Sequence, residues 1–188
     1  MTSNFFEYLS NPSNQITVNA LMFLVGTLFG LIASRLTMTK AERKSYQQTI
    51  YDNGLNLSRE LEQKYKVFCD TLQAYASKRG KITLEDFRLV STAGDMYFGE
   101  LKVICEAILT GKIDADSRDR NFVPRVTEAL QKNIFLYYDT LKDIAIKCKT
   151  TYVGEFSPKN YQGIIEVVEK YAPTEFKVYS TDVAARFD

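Results

Sequence analysis

The side chains best placed to do chemistry in this chain are the carboxylates Asp114, Asp116 and Asp119 in one short run and the thiols Cys69, Cys105 and Cys148. The three aspartates look like the start of a calcium loop, but the register fails. Counted from Asp114, position five is Arg118, position six is Asp119 where the turn needs Gly, and position twelve is Arg125 where a bidentate Glu belongs. Arg118, Arg120 and Arg125 also neutralise the cluster. The expectation is a solvated loop with i,i+4 ion pairs; the alternative is that Asp114, Asp116, Arg118, Asp119 and Arg120 form a partner-binding loop. The cysteines lie too far apart for zinc-ligand spacing. Cys105 and Cys148 fall on apolar stripes and Cys69 adjoins one, so buried, unreactive thiols are expected.

Asp95 with Glu100 and Lys102 has the composition of the acidic-acidic-Lys set by which some nucleases hold a metal ion. That set belongs on strands, and here it lies inside a regular helical pattern. The chain has no His, which removes Ser-His triads, His-based metal sites and the commonest general base. No glycine-rich phosphate loop and no Gly-x-Ser-x-Gly occur. The reading is therefore a protein that is not an enzyme and needs no metal or cofactor. Glu, Lys and Tyr can still move protons, so an enzyme built on these alone is one alternative. With 24 basic and 23 acidic side chains, the chain also lacks the basic excess of a nucleic-acid binder.

The element that would position everything else is Ile16 to Ser34, ITVNALMFLVGTLFGLIAS, which carries no charge. Nineteen such residues in a helix span roughly 28 Å, close to the ~30 Å of a bilayer's hydrocarbon core. A transmembrane helix is predicted over residues 16–36, preceded by a short interfacial segment, 1–15, that carries Glu7 and no basic residue. A cleaved leader would want a basic start, so a retained span is preferred. Arg35, Lys40, Arg43 and Lys44 follow the run. They place the C-terminal side in the cytoplasm, with the N-terminus outside the inner (plasma) membrane, and they would meet anionic lipid. Three unpaired cysteines suit that reducing compartment. Inside the span, Asn19, Gly26, Gly30 and Ser34 share one face. Small residues and a membrane amide at this spacing form a helix-packing stripe.

The rest reads as helices. Ile50, Leu57, Leu61, Tyr65, Phe68, Leu72 and Tyr75 recur at threes and fours between Thr39 and Arg79, with Asp52-Asn53-Gly54 as a break or kink in the middle. Thr83 opens a second helix as a capping box. Its stripe is Leu84, Phe87, Ser91, Gly94, Phe98, Leu101, Cys105 and Ile108, widened by Val90, Tyr97 and Ile104, and Gly111 ends it. Residues 112–123 read as a charged loop. Pro124 opens a third helix, with Val126, Leu130, Ile134, Tyr137, Leu141, Ile144 and Cys148 as its stripe. Ser157-Pro158 starts a short fourth, stopped by Pro173, and 174–188 reads as an extended or disordered tail.

The predicted fold class is all-α: one transmembrane helix followed by a cytosolic bundle of about four helices over 37–173. The expected function is that of a single-pass, membrane-anchored helical scaffold. It would contact membrane lipids and self-associate, or dock another membrane or cytosolic protein, at the cytoplasmic face. The alternative is a membrane-acting effector, toxin-like or part of a defence system, that oligomerises through its span.

Overall fold

Asp52-Asn53-Gly54 does not break the first helix of the computed structural model, and the reason is a tertiary contact. Helix α1 (Lys40–Ser77) is continuous. Gly54 is buried where a Cβ would stand 3.5 Å from Asp114 Oδ2 and 3.6 Å from the Ser117 side chain. The Asn53 amide donates to the Lys112 carbonyl at 3.1 Å. The two residues that signal a turn locally are used for tertiary contacts, a hydrogen bond at Asn53 and ordinary van der Waals packing at Gly54, which outweigh the modest helix cost of one glycine.

The structure describes Asn19, residues 22–30 and residues 39–187, with side chains as far as residue 180. It divides into two compact units, Met1–Tyr46 and Gln47–Asp188. In the first, Asn19 and residues 22–30 are helical and exposed. Among the described residues, no helix is long and apolar enough to cross a membrane. The predicted span falls in large part outside the described residues, as do Ser34, Arg35 and the segment 1–15.

The second unit is all-helical, with no strand among the described residues. Helix α2 (Leu84–Leu109) starts where the Thr83 amide donates to Asp86 Oδ2 at 2.7 Å. It ends at Gly111, whose φ of +70° lets Gly111 N bond Ile108 O and Lys112 N bond Ala107 O. A single turn, α3 (Ala115–Ser117), is capped by Asp114, which accepts from Ser117 N at 2.8 Å. The chain then runs without a break through a π-turn (Arg118–Phe122), α4 (Val123–Glu128), a second π-turn (Ala129–Asn133) and α5 (Ile134–Lys147). A short turn at Pro158–Tyr161 leads into α6 (Gln162–Tyr171), and α7 (Pro173–Phe187) closes the fold.

Two expectations are corrected here and a third is extended. The predicted loop at 112–123 is helical from Ala115. Pro124 lies in the first turn of α4 as expected, but α4 continues a helical run already under way. The π-turn before it makes this possible, because Val123 N reaches back five residues to Arg118 O and the widened turn relieves the ring's clash with the preceding carbonyls. The predicted tail is also helical. Pro173 ends α6 and, with its fixed φ, equally starts α7, where Phe176 N bonds Ala172 O at 3.0 Å. Phe176 and Tyr179, three apart, turn to the core, and Tyr179 is 6% exposed. Where about four bundle helices are expected, the described residues from Lys40 on form six helices of more than one turn.

The core is continuous from α1 to α7. Leu61 and Phe68 of α1 meet Tyr97, Phe98, Leu101 and Ile104 of α2, then Leu130, Ile134 and Tyr137, then Ile164 and Val168 of α6. At its centre lies an aromatic cluster. Phe98 contacts Phe68, Tyr97, Tyr137 and Tyr161 at centroid distances between 5.0 and 5.9 Å. Such tilted and edge-on pairs stabilise beyond the area they bury, by about 1 kcal/mol each.

Candidate functional site

Chemistry-bearing side chains that the sequence brings together are mostly separated by the fold. Asp95 accepts from the Tyr137 hydroxyl at 2.9 Å, Glu100 pairs with Lys64, and Lys102 lies 5.0 Å over the Tyr161 ring. These three point at different neighbours and share no cavity. Asp114 is absorbed as a helix cap, with its second oxygen buried against Gly54. Arg118 pairs with Asp119 at 2.6 Å and stacks 4.4 Å above Tyr171. Asp116 and Arg120 form an exposed i,i+4 pair at 2.7 Å. The expected partner loop is therefore a helical edge, half of it tied into the fold. Among the described residues, no three Cys, Asp or Glu side chains gather as a metal site requires.

The predicted membrane-proximal groups are described only in part. Asn19, Gly26 and Gly30 are exposed, and a Cβ at either glycine meets nothing within 4 Å. Met22, Phe23, Gly26, Thr27 and Gly30 line one shallow surface, in which Thr27 Oγ1 donates to the Phe23 and Leu24 carbonyls. Lys40, Arg43 and Lys44 fall on one side of the first turns of α1, all exposed.

Cysteine burial is less uniform than expected. Cys105 is fully buried, and burial pushes its thiol up to about 12. Cys69 and Cys148 are half-buried. A hydrogen bond with Cys69, with burial, raises the Tyr65 hydroxyl to about 12. Maleimide treatment of the folded chain at pH 8 should modify Cys69 and Cys148 and spare Cys105 until denaturant is added. Peptide mass spectrometry reads this directly, and equal labelling of all three in the folded state would contradict the buried thiol.

Helix α4, the segment between the two π-turns, separates two hollows that sequence reasoning missed. On one side a cavity of about 170 Å³ is lined by Leu61, Glu62, Tyr65, Tyr97, Arg125 and Glu128. There the Asn133 amide donates to the Tyr97 hydroxyl at 3.3 Å. On the other, an open cleft of about 620 Å³ faces the α6–α7 junction. Thr127 lines it, 7% exposed, with a buried hydroxyl that has no hydrogen-bond partner. π-Turns often mark functional places. Here the first follows from Pro124, and the second lies beside Asn133. A buried, unpaired hydroxyl costs roughly 1–3 kcal/mol. Thr127→Val should accordingly raise the stability of the chain by about 1 kcal/mol in urea unfolding; a lower midpoint would show that the hydroxyl is hydrogen-bonded.

A further surface feature is the outer face of α2. Its inner face is the core. Its outer face carries Leu89, Met96 and Val103, which are 54%, 49% and 52% exposed, with exposed Thr92 and Gly99 between them. A groove of about 480 Å³ between α1 and α2, lined by Val67, Ala74 and Leu89 among others, borders it. A surface helix usually confines its large apolar residues to one stripe, and α2 has two. Comparison with known protein families, characterised proteins and solved structures returns no match for this chain.

Proposed function

We propose that this chain is a membrane-anchored helical interaction protein whose folded unit, Gln47–Asp188, presents a docking face at the cytoplasmic side. The observation that carries the proposal is the second apolar stripe on α2, which is about half exposed among the described residues and would cost solubility if left uncovered. The anchor is supported by the charge-free run from Ile16 to Ser34 and the basic residues after it. Lys40, Arg43 and Lys44, exposed on one side of α1, suit contact with anionic lipid at about 1 kcal/mol each.

The test is extraction of the tagged full-length chain from its native membranes in mild detergent, followed by the intact mass of the complex and identification of what co-purifies. Recovery in the membrane fraction after an alkaline carbonate wash is expected, together with a homo-oligomer or a stoichiometric partner. A chain found in the soluble fraction would remove the anchor. A solitary monomer would remove the docking role.

A further inference from the structure

The residue sizes along the outer face of α2 alternate. Leu89, Met96 and Val103 are large; Thr92 and Gly99, at steps of three and four between them, are small. Among the described residues Gly99 gives no space to any neighbour, since a Cβ there meets nothing within 4 Å. That separates it from Gly94 on the same helix, which the core occupies. A seam of this kind is informative about its partner, because a packed interface sets large side chains opposite small ones. Two copies of α2 side by side in parallel would put large against large and leave a void at each Gly99. Two antiparallel copies in which Met96 lies over Gly99 also set Val103 over Thr92, large against small, while Leu89 falls opposite Glu106 at each end of the seam.

Charge selects between the antiparallel registers. When Met96 packs over Gly99 of the second copy, Val103 packs over its Thr92, and Asp95 comes beside Lys102 of the second copy. The two-fold axis makes that pair twice. Shifting the register so that Met96 meets Thr92 and Leu89 meets Gly99 brings Arg88 beside Lys102 and Asp95 toward its own copy, which is repulsive at both points. Asp95 and Lys102 are both exposed on α2, one heptad apart. Their present contacts, the Tyr137 hydroxyl and the Tyr161 ring, leave each side chain at the flank of the seam.

We infer that α2 is a self-association seam, occupied by α2 of a second copy of this chain running antiparallel with Met96 seated over Gly99. The inference rests on the docking role proposed above and names its occupant. Isologous contacts of this form close as two-fold dimers.

The experiment uses the full-length chain in mild detergent, carrying Gly26→Leu/Gly30→Leu so that the predicted span does not hold copies together. Its mass is read by sedimentation or light scattering. The expected species is a dimer. Adding Gly99→Leu should halve the mass while the melting temperature of the folded unit stays level or rises, because the new side chain enters open space and a mid-helix glycine is removed. Asp95→Lys should also halve the mass, and Asp95→Lys/Lys102→Asp should restore the dimer. A dimer untouched by Gly99→Leu and by the charge reversal would overturn the seam while leaving self-association in place. A monomer that co-purifies with a stoichiometric foreign protein would overturn the second copy as occupant but keep the docking role. A monomer with nothing bound would overturn both.

Discussion

Gly94→Ala should destabilise the folded unit by about 3 kcal/mol, although alanine is the better helix former by about 1 kcal/mol. A Cβ at position 94 would stand 2.2, 2.6 and 2.8 Å from three atoms of the Tyr137 ring. The ring has nowhere to go, since Phe98 and Tyr138 lie 5.3 Å away, centroid to centroid, and Phe68 lies 6.2 Å away. Its hydroxyl is also held, donating to Asp95 Oδ1 at 2.9 Å with the Ser91 carbonyl at 3.3 Å. Overpacking a tight core commonly costs 1–3 kcal/mol, and displacing the ring adds the loss of that hydrogen bond. The control is built into the same helix: Gly99→Ala, which meets no described neighbour in its own chain, should raise the stability of the monomeric unit by about 0.5–1 kcal/mol. Urea unfolding of the two variants should therefore move the midpoint in opposite directions. Gly94→Ala/Tyr137→Leu should lose less than the two single losses summed, because the clash is shared. Equal midpoints for wild type and Gly94→Ala would contradict the packing at the centre of the fold.

The contrast between these glycines also marks how far the sequence carries. Apolar spacing located α2 and its core face, and Gly94, Phe98, Leu101, Cys105 and Ile108 are all buried as that spacing predicts. Leu84 belongs to the same stripe but is half-exposed, because it lies in the first turn. The outer stripe was hidden by the same breadth that identified the core. Once Val90, Tyr97 and Ile104 widen the apolar face, Leu89, Met96 and Val103 look like more of it, and only burial separates the two. Charge misled in a different way. The polarity of the run from Asp114 to Arg120 resembles a loop, yet an N-cap followed by an i,i+4 Asp116–Arg120 pair is equally a helix start. Pro124 and Pro173 are positional signals whose meaning depends on the preceding turn, which one is widened and the other broken at Ala172. The Thr127 cleft and the Tyr97 cavity depend on segments more than thirty residues apart, and periodicity within a helix says nothing about which helices meet.

The buried Lys64–Glu100 pair is another long-range contact of this kind, and removing its cation should be the second large loss. Glu100 is 6% exposed, bonds Lys64 through Oε2 and has no partner for Oε1. It joins the middle of α1 to the middle of α2, between the core and the outer seam. Lys64→Met leaves a carboxylate in that position with neither oxygen paired. Breaking one side of a buried pair costs about 3–5 kcal/mol. The lower end is expected, since the Lys64 side chain is 32% exposed and water can reach the site. Lys64→Met/Glu100→Leu should recover most of the loss, because a well-packed apolar pair often equals or exceeds a buried ionic one in stability. The two halves of this result carry different information. A destabilised single variant shows that Glu100 is desolvated in the folded chain. Recovery in the double variant shows that the pair does not set the stability of the helical hairpin. If the double variant is as stable as the wild type yet no longer dimerises, the pair acts by fixing the rotation of α2 that presents Met96 and Gly99 outward. If Lys64→Met unfolds at the wild-type midpoint, Glu100 is solvated and neither conclusion stands.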